Sequence, residues 1–197
     1  MIARIVLVAG LSAAIAAPSF AQGGGAAPAS PPAVQPGPNV GDMAPDFTGV
    51  AADKSGTLKA PVHLADLKGK VVVLAFFPRA RTSGCTMQMT QYRDQYDSLF
   101  VGGKNVVLLS ISTDADTTQT DWAKEANFPF KFVSDKDGAI GIKYGTLTEA
   151  NKAAEKRFLY VIGPDGKIIH TAKQFQPNRP SDYTDLGNAI KKGLAMK

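Results

Sequence analysis

The chain has 197 residues, 44% hydrophobic and 20% charged, which is enough apolar material for a core and excludes disorder along its whole length. Its single cysteine excludes an intrachain disulfide, a C-x-x-C redox pair and a Cys-rich zinc site; two histidines far apart, His63 and His170, argue against a His-based metal centre. The 22 basic residues against 17 acidic ones give a formal charge of +5, scattered in runs no longer than two, which points to a soluble protein and away from nucleic acid.

Chain order begins with an address. Met1–Arg4 carries one positive charge, Ile5–Ala17 is a mostly apolar run, and Ser19–Ala21 fits a small-x-small cleavage site. This is the pattern of a secretory signal over residues 1–21, shorter in its apolar part than the ~18 residues of a spanning helix. An uncleaved N-terminal anchor is the competing reading. Cleavage leaves 21 basic against 17 acidic residues, a mature charge of +4. Residues 22–38, QGGGAAPASPPAVQPGP, hold Gly, Ala or Pro at 13 of 17 positions and read as a flexible, partly polyproline-like linker. The folded body is expected over residues 39–197, without internal repeats.

Within the body, Val71–Phe77 (VVVLAFF) and Val106–Ser112 (VVLLSIS) are continuous apolar, β-branched runs, as fully covered strands require. Between them Met89, Tyr92, Tyr96, Leu99 and Phe100 recur at helical spacing until Gly102-Gly103. Strand, helix and strand make a right-handed βαβ unit with parallel strands. A shorter helix is expected over Thr117–Ala126, capped near Asp114 or Asp116, then a short strand over Lys131–Val133 and a helical turn or two over Gly138–Tyr144. Phe158–Ile162 and Lys167–Thr171 flank Gly163-Pro164-Asp165-Gly166, a hairpin signal, and Asp182–Leu194 reads as a closing helix. The sum is an α/β sandwich with a mixed central sheet flanked by helices, best matched by the thioredoxin-like fold.

The lone cysteine lies where such folds place chemistry. Strand Val71–Phe77 ends, Pro78 follows, and Cys85 opens the next helix, beyond a strand's carboxyl end. Free N–H groups at the helix start, with Arg79 and Arg81 just upstream, favour thiolate over thiol. An inert buried cysteine is the competing reading, and location alone does not separate the two.

The pattern Pro78-x-x-x-Thr82-x-x-Cys85 resembles the active-site signature of the peroxiredoxins, and the version here, T-S-G-C-T-M-Q, is most similar to their bacterioferritin-comigratory-protein branch. The resemblance extends over Val40–Phe47 (VGDMAPDF), Phe132–Asp135 with Tyr144-Gly145, and Arg157–Ile162 with Gly166. It implies a peroxiredoxin sandwich in which Cys85 attacks a peroxide oxygen. Thr82 would hydrogen-bond the thiolate and the peroxide, beside the alternative of a plain N-cap. Arg157 would supply fixed charge to the thiolate and the leaving oxygen, and Pro78 would limit solvent. The backbone N–H groups of Gly84 and Cys85 are further expected donors. Gln88 stands where relatives carry Glu or Gln and would orient the arginine.

Three positions depart from that branch. Thr90 occupies the place of a resolving cysteine five residues after the first, Ser83 replaces a proline, and Gly163 replaces a hairpin aspartate. With no second thiol, the sulfenic acid formed on Cys85 needs an external thiol reductant, a thioredoxin-like protein or a small thiol. The resulting expectation is an exported one-cysteine peroxidase, periplasmic or secreted, acting on hydrogen peroxide and organic hydroperoxides as a monomer or homodimer. An exported peroxide sensor or relay passing oxidation to a partner by a mixed disulfide is the alternative from another class. No cofactor, metal, nucleic acid or stable membrane insertion after processing is expected, and no P-loop, G-x-G-x-x-G, nucleophile elbow or H-E-x-x-H occurs. Paired acids Asp114/Asp116 and Asp135/Asp137 read as caps and solvated groups, His170 as structural, and Trp122 as packing.

Overall fold

A computed structural model describes residues 37–196; the expected signal, 1–21, and the linker through residue 36 lie outside the described residues. Gly37, assigned from sequence to the linker, is buried, and a Cβ there would lie 2.0 Å from the Tyr144 carbonyl oxygen. Close packing of the backbone therefore begins two residues before the expected start of the body.

The described residues form an eight-stranded mixed sheet. Its strands are β1 (Thr48–Asp53), β2 (Gly56–Thr57), β3 (Val62–His63), β4 (Val71–Phe76), β5 (Val106–Ser112), β6 (Lys131–Ser134), β7 (Leu159–Ile162) and β8 (Ile168–Ala172). They lie in the order β2-β1-β6-β5-β4-β7-β8, with β3 paired to β1 off this path. β4 and β5 run parallel from Val71 opposite Val106 to Phe76 opposite Ile111, and β6 is parallel to β5. β1 and β7 add antiparallel at opposite sides, and β8 returns as the second arm of a hairpin. Gly166, at φ 84°, supplies the left-handed residue that this turn needs.

Alternation along β4 explains its continuous apolar run. Val71, Val73 and Ala75 join one cluster with Met89 and Tyr92 of helix α1 (Ser83–Asp94), Trp122 of α3 (Asp116–Glu125) and Leu186 and Ile190 of α5 (Pro180–Leu194). Val72, Leu74 and Phe76 face the opposite way, toward Phe47, Tyr160, Tyr144 and Ile140 of α4 (Ala139–Lys143). Both faces of the sheet are covered here, so this strand is apolar on both sides.

The helix after β4 is not continuous. α1 ends at Asp94; the next residue, Gln95, has a ψ of 17° outside the helical range, and a short α2 (Tyr96–Leu99) restarts. The apolar spacing continues across the break, which is why periodicity alone joins the two. Strands β1 to β3 carry no periodic signal: TGVAAD is rich in Gly and Ala, poor strand formers. β1 exists because its small residues let it approach β6; a Cβ on Gly49 would lie 2.4 Å from a methyl of Val133. Helix α3 is preceded by Ala115 as its N-cap, and neither Asp114 nor Asp116 caps it through a side chain.

Candidate active site

The connection from β4 to α1 is fixed at several points. The Phe77 N–H donates to the Ile111 carbonyl at 3.0 Å, continuing the β4–β5 ladder past the strand end. Pro78 follows half-buried, and the Ala80 N–H donates to Asp114 Oδ2 at 2.7 Å. Arg81 is in the left-handed region at φ 66°, unusual for a side chain of its size. Its guanidinium forms a two-pronged ion pair with Glu125 at the end of α3, one arm at 2.9 Å. The carboxylate holds the guanidinium charged more firmly than usual, and the guanidinium holds the Glu125 carboxyl below its ordinary range.

Thr82 is the N-cap residue, with extended φ −74° and ψ 152°. Its carbonyl accepts the Thr86 N–H at 2.8 Å, the first bond of α1. Cys85, third in the helix, is wholly buried. The backbone N–H groups of the helix's first residues, Gly84 and Cys85 among them, have no partner within the helix. The peptide dipoles add partial positive charge beside the sulfur.

Arg157, on the segment leading into β7, closes the site from the opposite side. Its Nη2 donates to Cys85 Sγ at 3.3 Å, across 72 positions of chain. Its Nη1 donates to Gln88 Oε1, and Gln88 Nε2 donates to the Tyr92 hydroxyl oxygen at 2.9 Å. Gln88, one turn after Cys85, is wholly buried. Cys85, Gln88 and Arg157 are therefore brought together by direct hydrogen bonds. Tyr92 belongs to the same chain of bonds but reads from sequence only as one of the apolar positions of its helix. The i, i+4 spacing from Gln88 is the signal that could have revealed it. Burial pushes the Tyr92 phenol far above its ordinary range, so it is neutral throughout the physiological range.

Thr82 differs from expectation. Its hydroxyl donates to the Arg79 carbonyl at 3.0 Å and makes no side-chain capping bond. With its one proton engaged there, that oxygen has only lone pairs to offer the site. It can accept from a ligand and cannot donate to a thiolate.

Asp135 caps the start of α4, as an acid in a turn can, but it is not solvated. It is 2% exposed, and its two carboxylate oxygens accept the N–H groups of Ile140 at 2.9 Å and Gly141 at 2.7 Å. Beside it lies Glu155, also 2% exposed, two residues before Arg157. Its two oxygens are buried with only the Thr146 hydroxyl near them as a donor, and protonation lets Glu155 donate toward Asp135. Burial is the largest cause holding both carboxyls above the ordinary range, with Glu155 pushed up to about 9. Asp137 is exposed and accepts from the Ala139 N–H at 3.1 Å, as a turn acid does. His170 is half-buried on β8, where burial lowers its pKa, and Trp122 packs against Phe77, Phe128 and Phe132 in the core.

Comparison with known proteins agrees with this geometry. The profile of the AhpC/TSA family matches residues 40–171. A putative peroxiredoxin bcp of Coxiella burnetii is 35% identical over 134 residues, 66% of this chain and 84% of its own. Peroxiredoxin Bcp of Escherichia coli K12 is 32% identical over 147 residues, 72% of this chain and 90% of its own. Among solved structures, peroxidoxin BcpB from Mycobacterium tuberculosis superposes with a TM-score of 0.65 at 25% identity, covering 78% of this chain and 96% of that one. A fold and a cysteine site of this kind define a thiol-dependent peroxidase. The chain belongs to the AhpC/TSA family and is a peroxiredoxin of the Bcp/PrxQ type with one cysteine.

Proposed function

We propose that Cys85 is the peroxidatic residue of a one-cysteine cycle in which an external thiol replaces the missing resolving cysteine. The observation that carries this reading is the Arg157 guanidinium on Cys85 Sγ at 3.3 Å at the start of α1. In the first half-reaction the Cys85 thiolate attacks one oxygen of ROOH. A Cys–OH bond forms, the O–O bond breaks, and ROH departs after taking a proton. Arg157 and the free N–H groups at the helix start stabilise the sulfur anion before attack and the departing oxygen during it. Thr82 accepts a hydrogen bond from the incoming hydroperoxide, and Pro78 screens the site. A first external thiol R′SH then displaces water from the sulfenic acid to give Cys85–S–S–R′. A second releases R′SSR′ and restores the Cys85 thiol.

Single-cysteine chemistry follows from composition, since no other thiol exists in the sequence. Hydrogen peroxide and organic hydroperoxides are the proposed substrates. Export through residues 1–21 to a periplasm or the exterior is part of the same proposal, tested by N-terminal sequencing of the exported protein, which should begin at Gln22.

The enzyme reading is tested by mixing purified protein with excess hydrogen peroxide and a series of thiols. Sustained consumption over many turnovers with at least one thiol is expected, and Cys85→Ser should consume nothing. Consumption that stops at one equivalent with every thiol favours the relay, in which oxidation passes to a partner through a mixed disulfide.

A further inference from the structure

Gln88 is wholly buried, so both ends of its amide require partners. Arg157 offers donors only, which forces Oε1 toward the guanidinium and turns Nε2 away from it. Nε2 then needs an acceptor, and the Tyr92 hydroxyl oxygen stands one helical turn on at 2.9 Å. Tyr92 cannot drift from that place. Its ring is held by Phe100, Phe130 and Tyr183, with centroids at 5.4, 6.4 and 6.0 Å, and by Phe175 at 6.2 Å. Those rings come from four separate parts of the chain. Filling space in this cluster requires an aromatic ring; it does not require a hydroxyl.

We propose that Tyr92 is a positioning residue for peroxide reduction: its hydroxyl fixes the Gln88 amide, and Gln88 in turn holds Arg157 against the Cys85 sulfur. The proposal rests on the reading of Cys85 as the attacking group. Without the hydroxyl, Nε2 becomes a buried donor with no acceptor. Gln88 then gains by swinging away, and Arg157 is no longer held at two points.

The test is a double-mutant cycle. The second-order rate constant for oxidation by hydrogen peroxide is measured for wild type, Tyr92→Phe, Gln88→Leu and the double variant. Tyr92→Phe should slow oxidation about fivefold in the wild-type background and less than about twofold once Gln88 is leucine. Reduction of the sulfenic acid by dithiothreitol should be unchanged. Equal losses in both backgrounds, or no loss from Tyr92→Phe, overturn the proposal.

A second measurement is independent of peroxide. The Arg157 Nη signals in a nitrogen-15 spectrum should be resolved in wild type, where two-point bonding stops rotation, and averaged in Tyr92→Phe. Resolved signals in both proteins overturn the proposal even if rates fall. Peroxide consumption by Cys85→Ser would instead defeat the reading of the site and leave this coupling standing.

Discussion

Gly84 and Arg157 meet across a missing side chain: a Cβ built on Gly84 would lie 3.3 Å from Arg157 Nη2, the atom that donates to the Cys85 sulfur. The guanidinium occupies space that any other residue at position 84 would share. Gly84→Ala should therefore separate stability from activity. Alanine removes the backbone-entropy penalty of a helical glycine, ~0.5–1 kcal/mol, so the melting temperature should hold or rise. The rate of oxidation by peroxide should fall about tenfold, ~1.4 kcal/mol of barrier, as Arg157 gives way by a few tenths of an ångström. Unchanged oxidation would mean that the guanidinium has slack not evident in its contacts.

Replacement of the guanidinium itself should be more severe. Arg157 serves Cys85 and Gln88 with different nitrogens of one rigid fork. Lysine keeps the charge but cannot serve both in that geometry. Arg157→Lys should slow peroxide reduction about a hundredfold, the scale on which an oriented donor to a developing anion is lost. Stopped-flow oxidation at several pH values checks this, and a loss under threefold would show that charge alone suffices.

The carboxyl pair gives a pH dependence with a defined sign. Glu155 in the folded protein holds its proton to about 9, against 4.5 for the free side chain. Between these values the folded state binds a proton that the unfolded state has released, so stability falls as pH rises through this window. Glu155→Gln retains a donor toward Asp135 and cannot ionise. Its melting temperature should match or trail wild type at pH 5 and exceed it by a growing margin at pH 7 and 9. Parallel curves for the two proteins would place the proton elsewhere.

The ion pair of Arg81 and Glu125 is exposed, with side chains 44% and 60% accessible, so solvent screens it and it adds little to global stability. Its local effect is larger, because it pins a left-handed residue four positions before Cys85. Glu125→Lys should leave the melting temperature within a few degrees and raise the rate at which Cys85 is alkylated by iodoacetamide. Salt at 0.5 M should move wild type the same way, since screening acts on exposed charges. Equal alkylation rates in both proteins would show that the loop keeps its conformation without the pair.

Sequence carried the centre of this fold better than its edges. β4, β5 and the β7–β8 hairpin were legible because fully covered strands are dominated by apolar, β-branched residues and a tight turn needs Gly166. β1 was not, because its small residues are selected by closeness to β6, a contact 80 positions away in the chain. At the site, Cys85, Gln88 and Arg157 stood out as a pattern, and the structure brings them into contact. Tyr92 and Glu155 did not. A tyrosine at an apolar position reads as core whatever its hydroxyl does. A glutamate within AAEKR reads as surface until the burial of its oxygens is known.

The depth of Cys85 works in two directions. Hydrogen peroxide, two oxygen atoms long, needs only a small fluctuation to reach a sulfur enclosed in the first turn of α1, whereas a thiol on a larger reductant needs that turn to open. Once oxidised, the same enclosure keeps the larger reductant out while leaving the sulfenic acid within reach of a second peroxide, whose attack would give the irreversible sulfinic acid. Closure of a single helical turn thus withholds the oxidised protein from repair while leaving it open to damage. Reductants of different chemistry would then share one ceiling on turnover, set by the frequency with which that turn unfolds.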